Sequence, residues 1–510
     1  MCKQHSQRRI SVSLLFVLLS QGSVAFAQAT DQPEPTPEPP PSPAPGADAA
    51  PPETDADAGP ADAGADTNGL ISLLDAAPSL YNGVIRYPKY YGDPAMARGG
   101  LFERSHLLGD WGGFRDDLAA GGLIVDLGLT QVFQGVVSGD SDDDTSYVGS
   151  ADLWLGLDTG RAGLWSGGLI FAHLEGNWGD PLSGTGALLP LNADAIAPTA
   201  PDSLALSEVY IVQALSEQVT LIAGKADWAS WSDTSLFANN ERTQFLYEGL
   251  VNNPLLGAFV PYTSWGAIMT VRAAEEHTFA FIGIQNAGDA TVTGFDDFSM
   301  DEISLAAAYY FTPTFGDLPG VYEFLFGYTT KDAVNFAVSD RYLLGEIIGV
   351  LPVSTEDDNY GFVFTGSQYL WVKQGAQRKR SDPIGLGTAR RDNSNPVGIG
   401  LTARFGITPG GRNVIDQFYS VGIGGWGGLP GRDDDNWGVG WAGSHISDDF
   451  RDDAGALGFD LDDFEHGVEA FYNVALTPAM HLSGHVQWID PTNPDTDDVV
   501  VLSLRLQLDF

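Results

Sequence analysis

This sequence is poor in cysteine and in basic side chains. Its 510 residues hold one cysteine, Cys2, and 25 Lys plus Arg against 67 Asp plus Glu. A lone thiol at the extreme N-terminus excludes disulfides and cysteine-based zinc or redox centres from everything that follows it. A formal net charge of −42 excludes nucleic acid and anionic membrane surfaces as electrostatic partners; it suits neutral solutes or divalent cations. Catalytic signatures are missing too. There is no G-x-S-x-G elbow, no H-E-x-x-H and no P-loop, and the eight histidines show no metal-ligand spacing. Gly139-Asp140-Ser141 resembles an esterase block, but it sits in an acidic loop without a strand–helix context. No enzyme activity is expected.

The first 27 residues read as a signal peptide. Lys3, Arg8 and Arg9 form a basic start, residues 10–19 are apolar, and Ala25-Phe26-Ala27 matches a cleavage site before Gln28. Residues 28–67 are almost wholly Pro, Ala, Asp, Glu, Gly and Thr. Such a stretch cannot bury enough apolar surface to fold, so it reads as a disordered linker, either a passive tail or a spacer reaching the cell wall. Residues 68–122 are a periplasmic lead-in. Asp110 is placed to cap a short helix over about 111–120, and Gly121-Gly122 to end it.

From Leu123 the pattern changes to strict alternation. Leu123, Val125, Leu127 and Leu129 oppose Asp126, Gly128 and Thr130; Leu153, Leu155 and Leu157 oppose Asp152, Gly156 and Asp158. Ile399, Leu401, Phe405 and Ile407 oppose Thr402 and Arg404, and the last segment sets Val500, Leu502, Leu504, Leu506, Leu508 and Phe510 against Val501, Ser503, Arg505, Gln507 and Asp509. Each such strand meets an apolar medium on one side and a polar one on the other. A soluble sandwich would also alternate. Segment lengths near ten residues, and aromatics closing the apolar faces (Phe133, Tyr309, Phe311, Tyr322, Tyr328, Trp488), favour a transmembrane barrel.

Sixteen strands are expected, beginning near 123, 149, 168, 205, 218, 263, 277 and 302, then near 321, 360, 397, 416, 436, 466, 480 and 499. The segments 169–175 and 219–225 alternate poorly. Short turns (215–218, 273–277, 477–479) interleave with long loops (139–146, 177–204, 227–262, 331–359), as in outer-membrane barrels. One segment resists this rule: 372–396 is long and basic (Arg378, Lys379, Arg380, Arg390, Arg391), yet parity assigns it to the short-turn side.

Several stretches resemble the carbohydrate-selective, OprB-like porins. They are GDWGGFRDDLAAGG (109–122), TQVFQGVVSGD (130–140), GKADWASWSDTSLFANNERTQFL (224–246), and long runs over 403–440 and 476–510. The resemblance covers 107–510. It implies an all-β, sixteen-stranded barrel of a Gram-negative-type outer membrane, passing small sugars such as glucose through a water-filled pore. The strand ending in Phe510 would then address the outer-membrane assembly machinery, and lipid and lipopolysaccharide would surround the barrel.

Selectivity in a channel comes from width and from the groups at the narrowest point. Sugars need planar donors and acceptors and an aromatic face, which Arg and Trp supply. Loop 227–262 is the expected constriction, with Asp227, Trp228, Trp231, Asn239 and Arg242 among its polar and aromatic residues, Phe237, Phe245 and Leu246 as anchors, and Lys225 just before it. Arg404, Arg272, Glu208, Glu323 and Glu469 interrupt apolar strands and are assigned to the lumen, as solute contacts or as structural ion pairs. Arg115 is placed at the periplasmic mouth, tying the lead-in to the barrel or lining the exit. Aspartate runs at 142–144, 433–435, 448–453 and 495–498 lack EF-hand spacing. They read as solvated charge, with Ca²⁺ or Mg²⁺ bridging to lipid headgroups as the other reading. A cation-preferring general porin and a surface-binding barrel without transport are the competing functions.

Overall fold

A computed structural model of the chain describes residues 98–139, 141, 145–195, 203–261, 263–286, 298, 300–336, 354–374 and 396–510. The signal peptide, the Pro-rich linker and most of 372–396 lie outside the described residues. Sixteen long antiparallel strands form one closed sheet. They are β1 (Leu123–Ser138), β2 (Thr145–Asp158), β3 (Gly168–Asp180), β4 (Ser203–Ala214), β5 (Val219–Ala226), β6 (Ser264–Ala274), β7 (His277–Gln285) and β8 (Ile303–Phe311). The second half supplies β9 (Leu318–Thr329), β10 (Asn359–Val372), β11 (Gly398–Ile407), β12 (Ile415–Trp426), β13 (Asn436–Ile446), β14 (Phe464–Thr477), β15 (Met480–Asp490) and β16 (Val499–Asp509). Each pairs with its sequence neighbours. β1 also pairs with β16, from Gly128 opposite Asp509 to Ser138 opposite Val500, so the sheet has no free edge. A two-residue strand, Thr314–Phe315, extends the β8–β9 turn.

The alternation holds residue by residue. On β16 Leu502 and Leu504 are about half exposed outward, at 47% and 49%, whereas Val501, Ser503, Arg505 and Gln507 are buried inward. On β1 Leu127 and Phe133 face out and Asp126, Thr130 and Gln134 face in. The outer belt is apolar all round, and near the short-turn rim its rings cluster: Phe311 lies 5.2 Å from His277 and 6.1 Å from Tyr322, and Phe279 lies 5.2 Å from Tyr309. An apolar outer face with an aromatic rim is the surface a bilayer requires.

The two weakly alternating segments do form strands. Leu169 and Phe171 on β3 and Ile222 on β5 point inward and are buried in one apolar cluster with Trp228 and Leu256. The lumen there is filled with apolar side chains, so both faces of these strands are apolar and the period-2 signal disappears.

The lead-in helix is shorter than expected. Asp110 accepts the N–H of Gly112 (3.0 Å), but a single 3₁₀ turn (Trp111–Gly113) intervenes before α1 (Phe114–Ala120). Gly112 and Gly113 at φ 72° and 98° make the break. Gly122, at φ 88°, ends the segment against the backbone of β2, where a Cβ would stand 2.7 Å from the Asp158 carbonyl. Arg115 is buried and donates to the carbonyls of Gly109 (3.0 Å), Val125 (3.0 Å) and Phe510 (2.7 Å), with its guanidinium over the Trp111 ring. It ties the lead-in to the barrel.

Segment 372–396 begins and ends on the same rim as the short turns. The N–H of Lys373 bonds to the Val397 carbonyl (2.8 Å), and its ammonium pairs with Asp433 in the β12–β13 turn at 2.6 Å. Parity therefore placed its ends on the correct side.

Candidate functional site

The segment joining β5 to β6 turns inward and crosses the barrel. At its root, Glu208 of β4 accepts the backbone N–H of Asp227 (2.9 Å), and the buried Trp228 indole donates to the Ser264 carbonyl (2.8 Å). On the far wall Glu323 of β9 accepts the Thr234 hydroxyl (3.1 Å), and Ser367 of β10 accepts the N–H of Leu236 (3.1 Å). Glu469 of β14 receives the N–H groups of Leu246 (2.9 Å) and Tyr247 (2.7 Å). These carboxylates face inward, as their cost in lipid demands, and each satisfies loop groups that would otherwise be buried unpaired.

Arg404 of β11 is the central clamp. Its side chain and that of Asp233 are both at 0% exposure and form an ion pair, and the same guanidinium donates to the carbonyls of Leu250 (3.0 Å), Val251 (2.8 Å) and Ala238. A rigid five-donor fork serves four loop residues at once.

The wall opposite the loop's apolar side chains is made of glycine. A Cβ on Gly400 would lie 2.4 Å from the Phe237 ring, one on Gly440 2.7 Å from Leu250, one on Gly361 2.8 Å from Phe259, and one on Gly467 2.3 Å from Tyr247. Inward-facing glycines on β10 to β14 thus form sockets, and Phe237, Tyr247, Leu250 and Phe259 are the knobs that fill them. Residues 188–193 of the β3–β4 loop join the same packing through Leu189, Leu191 and Ala193.

The loop's other side meets a polar wall formed by β1 to β4, β15 and β16. Arg242 reaches Asp152 of β2 (2.8 Å), Glu241 (2.8 Å) and Asp194 (3.8 Å), and lies 5.6 Å from the Trp154 ring. His173 of β3 stands between Asp152 (2.9 Å) and Glu208 (3.0 Å) and stacks on Trp154 at 5.3 Å. Glu175 is buried beside them. Asp194 also accepts from Ser150 (2.9 Å); burial pushes its carboxyl up to about 6, against the pull of Arg242. Burial works against the Arg242 charge as well, yet Asp152, Glu241 and Asp194 outweigh it and hold the guanidinium well above its ordinary value. Arg505 of β16 donates to the Glu241 carbonyl, while its Nε and Nη2 meet no hydrogen-bond partner among the described residues.

The residues nominated from sequence divide accordingly. Arg242 stands in the polar cluster. Arg404, Trp228 and Lys225 are fully buried under or at the root of the loop. Asn239 is spent inside the loop, its amide on the Asp233 carbonyl and its N–H on Gln244 (2.8 Å). At the loop root Asp227 donates its backbone N–H to the Glu208 carboxylate, and Trp231 is the last residue of the short helix Trp228–Trp231. Arg272 lies two residues before the end of β6, near the short-turn rim, on the same face as the buried Ile268 and Thr270, with its backbone N–H on the Gln218 carbonyl (2.8 Å). Asp433 and Asp435 are taken by Lys373 and Arg432, and Asp498 by the Trp488 indole at 3.0 Å.

Asp152, Trp154, His173, Glu175, Asp194 and Arg505 were not nominated from sequence. Alternation does mark Asp152 and Arg505 as inward polar residues. Nothing in one sequence says which inward residues share a level of the barrel.

A closed sixteen-stranded barrel, apolar outside and crossed inside by a loop that faces a charged and aromatic wall, is an outer-membrane diffusion channel. The family model of the carbohydrate-selective porin, OprB family, matches residues 143–510, and the chain belongs to that family. Among solved structures, the high-pH structure of Pseudomonas putida OprB is 18% identical and matches with a TM-score of 0.68 over 81% of this chain and 100% of that one. The low-pH structure of the same protein is 15% identical, with a TM-score of 0.48 over 80% of this chain and 99% of that one. No curated protein matches the sequence. As in the rest of the family, the barrel is a channel of the Gram-negative outer membrane and carries out no bond chemistry.

Proposed function

We propose that the channel passes small neutral carbohydrates, monosaccharides such as glucose among them, selectively and by passive diffusion. The supporting observation is the grouping of Arg242, Asp152, Glu175 and Asp194 about Trp154. Planar donors and acceptors at fixed angles around an aromatic face suit a ring that carries hydroxyls on its edge and C–H groups on its faces. Protein reconstituted in liposomes should admit monosaccharides faster than charged solutes of equal size, and Arg242→Ala should lower sugar flux more than salt conductance. Dependence on solute size alone, unaltered in the variant, would remove the sugar reading. The acid excess favours a cation-preferring general porin as second reading, and a reversal potential in a salt gradient decides it. Folded barrels without conductance would leave only a surface-binding platform.

Two finer partner assignments belong to the same proposal. The strand ending in Phe510 addresses the outer-membrane assembly machinery, and residues 28–67 act as a spacer toward the cell wall. Replacing Phe510 should slow membrane insertion, and deleting 28–67 should spare flux while weakening wall attachment.

A further inference from the structure

We infer that the polar wall of the constriction holds a binding site for a transition-metal dication of the zinc type, with His173, Asp152 and Glu175 as its ligands. One donor atom from each of the three residues falls within 4.8 Å of the other two, and all three side chains are buried. Tetrahedral zinc at about 2.0–2.1 Å from each ligand needs donor separations near 3.3 Å, so side-chain rotations of about an ångström close the set.

The surroundings of His173 support metal ligation. Nε2 faces Asp152 at 2.9 Å, while Nδ1 faces Glu208 at 3.0 Å and the Ser207 hydroxyl at 3.2 Å. A histidine that turns one nitrogen to a metal and donates its other N–H to a carboxylate is the usual outer-shell arrangement; Glu208 fixes tautomer and ring orientation and raises the basicity of Nε2. Asp152 provides a second, independent observation. Its Oδ1 is occupied by His173 and Arg242, but Oδ2 is fully buried with no hydrogen-bond partner among the described residues. A buried carboxylate oxygen without a donor is costly, and a cation removes that cost.

Charge points the same way. Asp152, Glu175 and Glu208 surround His173, and among the described residues Arg242 is the one permanent cation paired with Asp152. One nitrogen and two carboxylate ligands suit zinc or its borderline neighbours; Ca²⁺ requires six or more oxygens and Mg²⁺ an octahedron of them. A dication here stands beside Arg242, on the wall that the inward loop faces.

The test uses full-length protein in detergent and in planar bilayers. Co²⁺ should bind with one equivalent per chain and give the visible absorption of a low-coordinate N/O site, displaced by Zn²⁺ and untouched by excess Ca²⁺. Zn²⁺ should reduce single-channel conductance over the same concentration range. His173→Gln and Asp152→Asn should abolish the spectrum and the block, and Glu208→Gln should weaken both about ten- to a hundredfold. Retained heat-modifiability on gels shows that each variant is folded. Absence of a cobalt spectrum in the folded wild type, or metal affinity unchanged by His173→Gln, overturns the site. The spectrum requires no sugar transport, so this result stands apart from the outcome of the flux assays.

Discussion

The guanidinium of Arg115 donates to the backbone carbonyl of Phe510 at 2.7 Å, joining residues 395 positions apart in the chain. The bond spans the place where the first and last strands close the barrel. Around it, Leu107 donates to Asp509 (2.7 Å) and Phe510 to Leu127 (2.9 Å), and His106 meets Asp126 at 2.9 Å. The lead-in is thus a clip on the β1–β16 seam, and it faces the rim that carries the short turns.

Arg115→Ala should therefore weaken closure more than any single strand contact. Three carbonyls lose a buried charged donor, a cost on the order of 3 kcal/mol or more. The temperature at which the barrel loses its compact gel mobility should fall by several degrees. Arg115→Lys should not rescue it, because one ammonium cannot hold three carbonyls in the planar fork geometry. Unchanged heat-modifiability in both variants would show that the seam holds without the clip.

The second prediction concerns the glycine sockets. Gly467→Ala places a methyl 2.3 Å from the Tyr247 ring, and Gly400→Ala places one 2.4 Å from Phe237. Overpacking of this kind costs roughly 1–3 kcal/mol and is relieved most cheaply by moving the loop, since the wall is fixed by its ladder hydrogen bonds. Both variants should insert normally and conduct more, with more current noise. Gly484→Ala, where no atom lies within 4 Å, is the matched control and should behave as wild type. Equal conductance in all three would mean that the loop does not set the pore width.

How legible this architecture was in the sequence depends on which physical rule produced each part. Strand existence, inward and outward faces and the even count follow from period 2, so β1, β2, β11 and β16 could be read directly. Segments 169–175 and 219–225 were blurred because the loop puts apolar residues inside the lumen, and the alternation signal rests on a polar interior. Loop 227–262 was recognisable by its length and its aromatic anchors. The roles of its residues were not. Arg404 and Arg242 look alike in sequence, but one lies beneath the loop with Asp233 and the other opposite Asp152. Which residue meets the channel depends on pairing register and on how the loop crosses, and the loop's path is set by contacts 90 to 171 residues apart, such as Arg242–Asp152 and Arg404–Asp233.

The buried pair Arg404–Asp233 gives a third prediction. Removing one partner leaves an uncompensated buried charge, worth about 3–5 kcal/mol, whereas removing both costs less. Asp233→Ala and Arg404→Met should each give a noisy channel of raised conductance. The double variant should be quieter than Arg404→Met alone only if Asp233 is the main partner. If the carbonyls of Ala238, Leu250 and Val251 matter more, the double variant will be as noisy as Arg404→Met. Single-channel recordings of the three proteins separate the cases.

The last prediction is a pH dependence of the constriction. Glu248 lies in the loop, where one carboxylate oxygen accepts from Asn252 (3.1 Å) and the other has no hydrogen-bond partner among the described residues. Burial pushes its carboxyl up to about 8; Glu241 and Asp227 add to the rise, while Asn252 and Arg404 oppose it. A carboxyl raised in the folded loop above its ordinary value near 4.5 favours the seated loop when protonated. Its contribution is complete at acid pH, declines as pH climbs from about 4.5 and is gone above about 8. Ionised, Glu248 is a buried charge with no ion-pair partner among the described residues, and the loop gains by letting it reach water. Current fluctuations should accordingly rise between pH 6 and pH 9. Glu248→Gln, which keeps the shape and cannot ionise, should flatten the profile at the quiet level. A profile as steep in Glu248→Gln as in wild type would assign the pH dependence to another group.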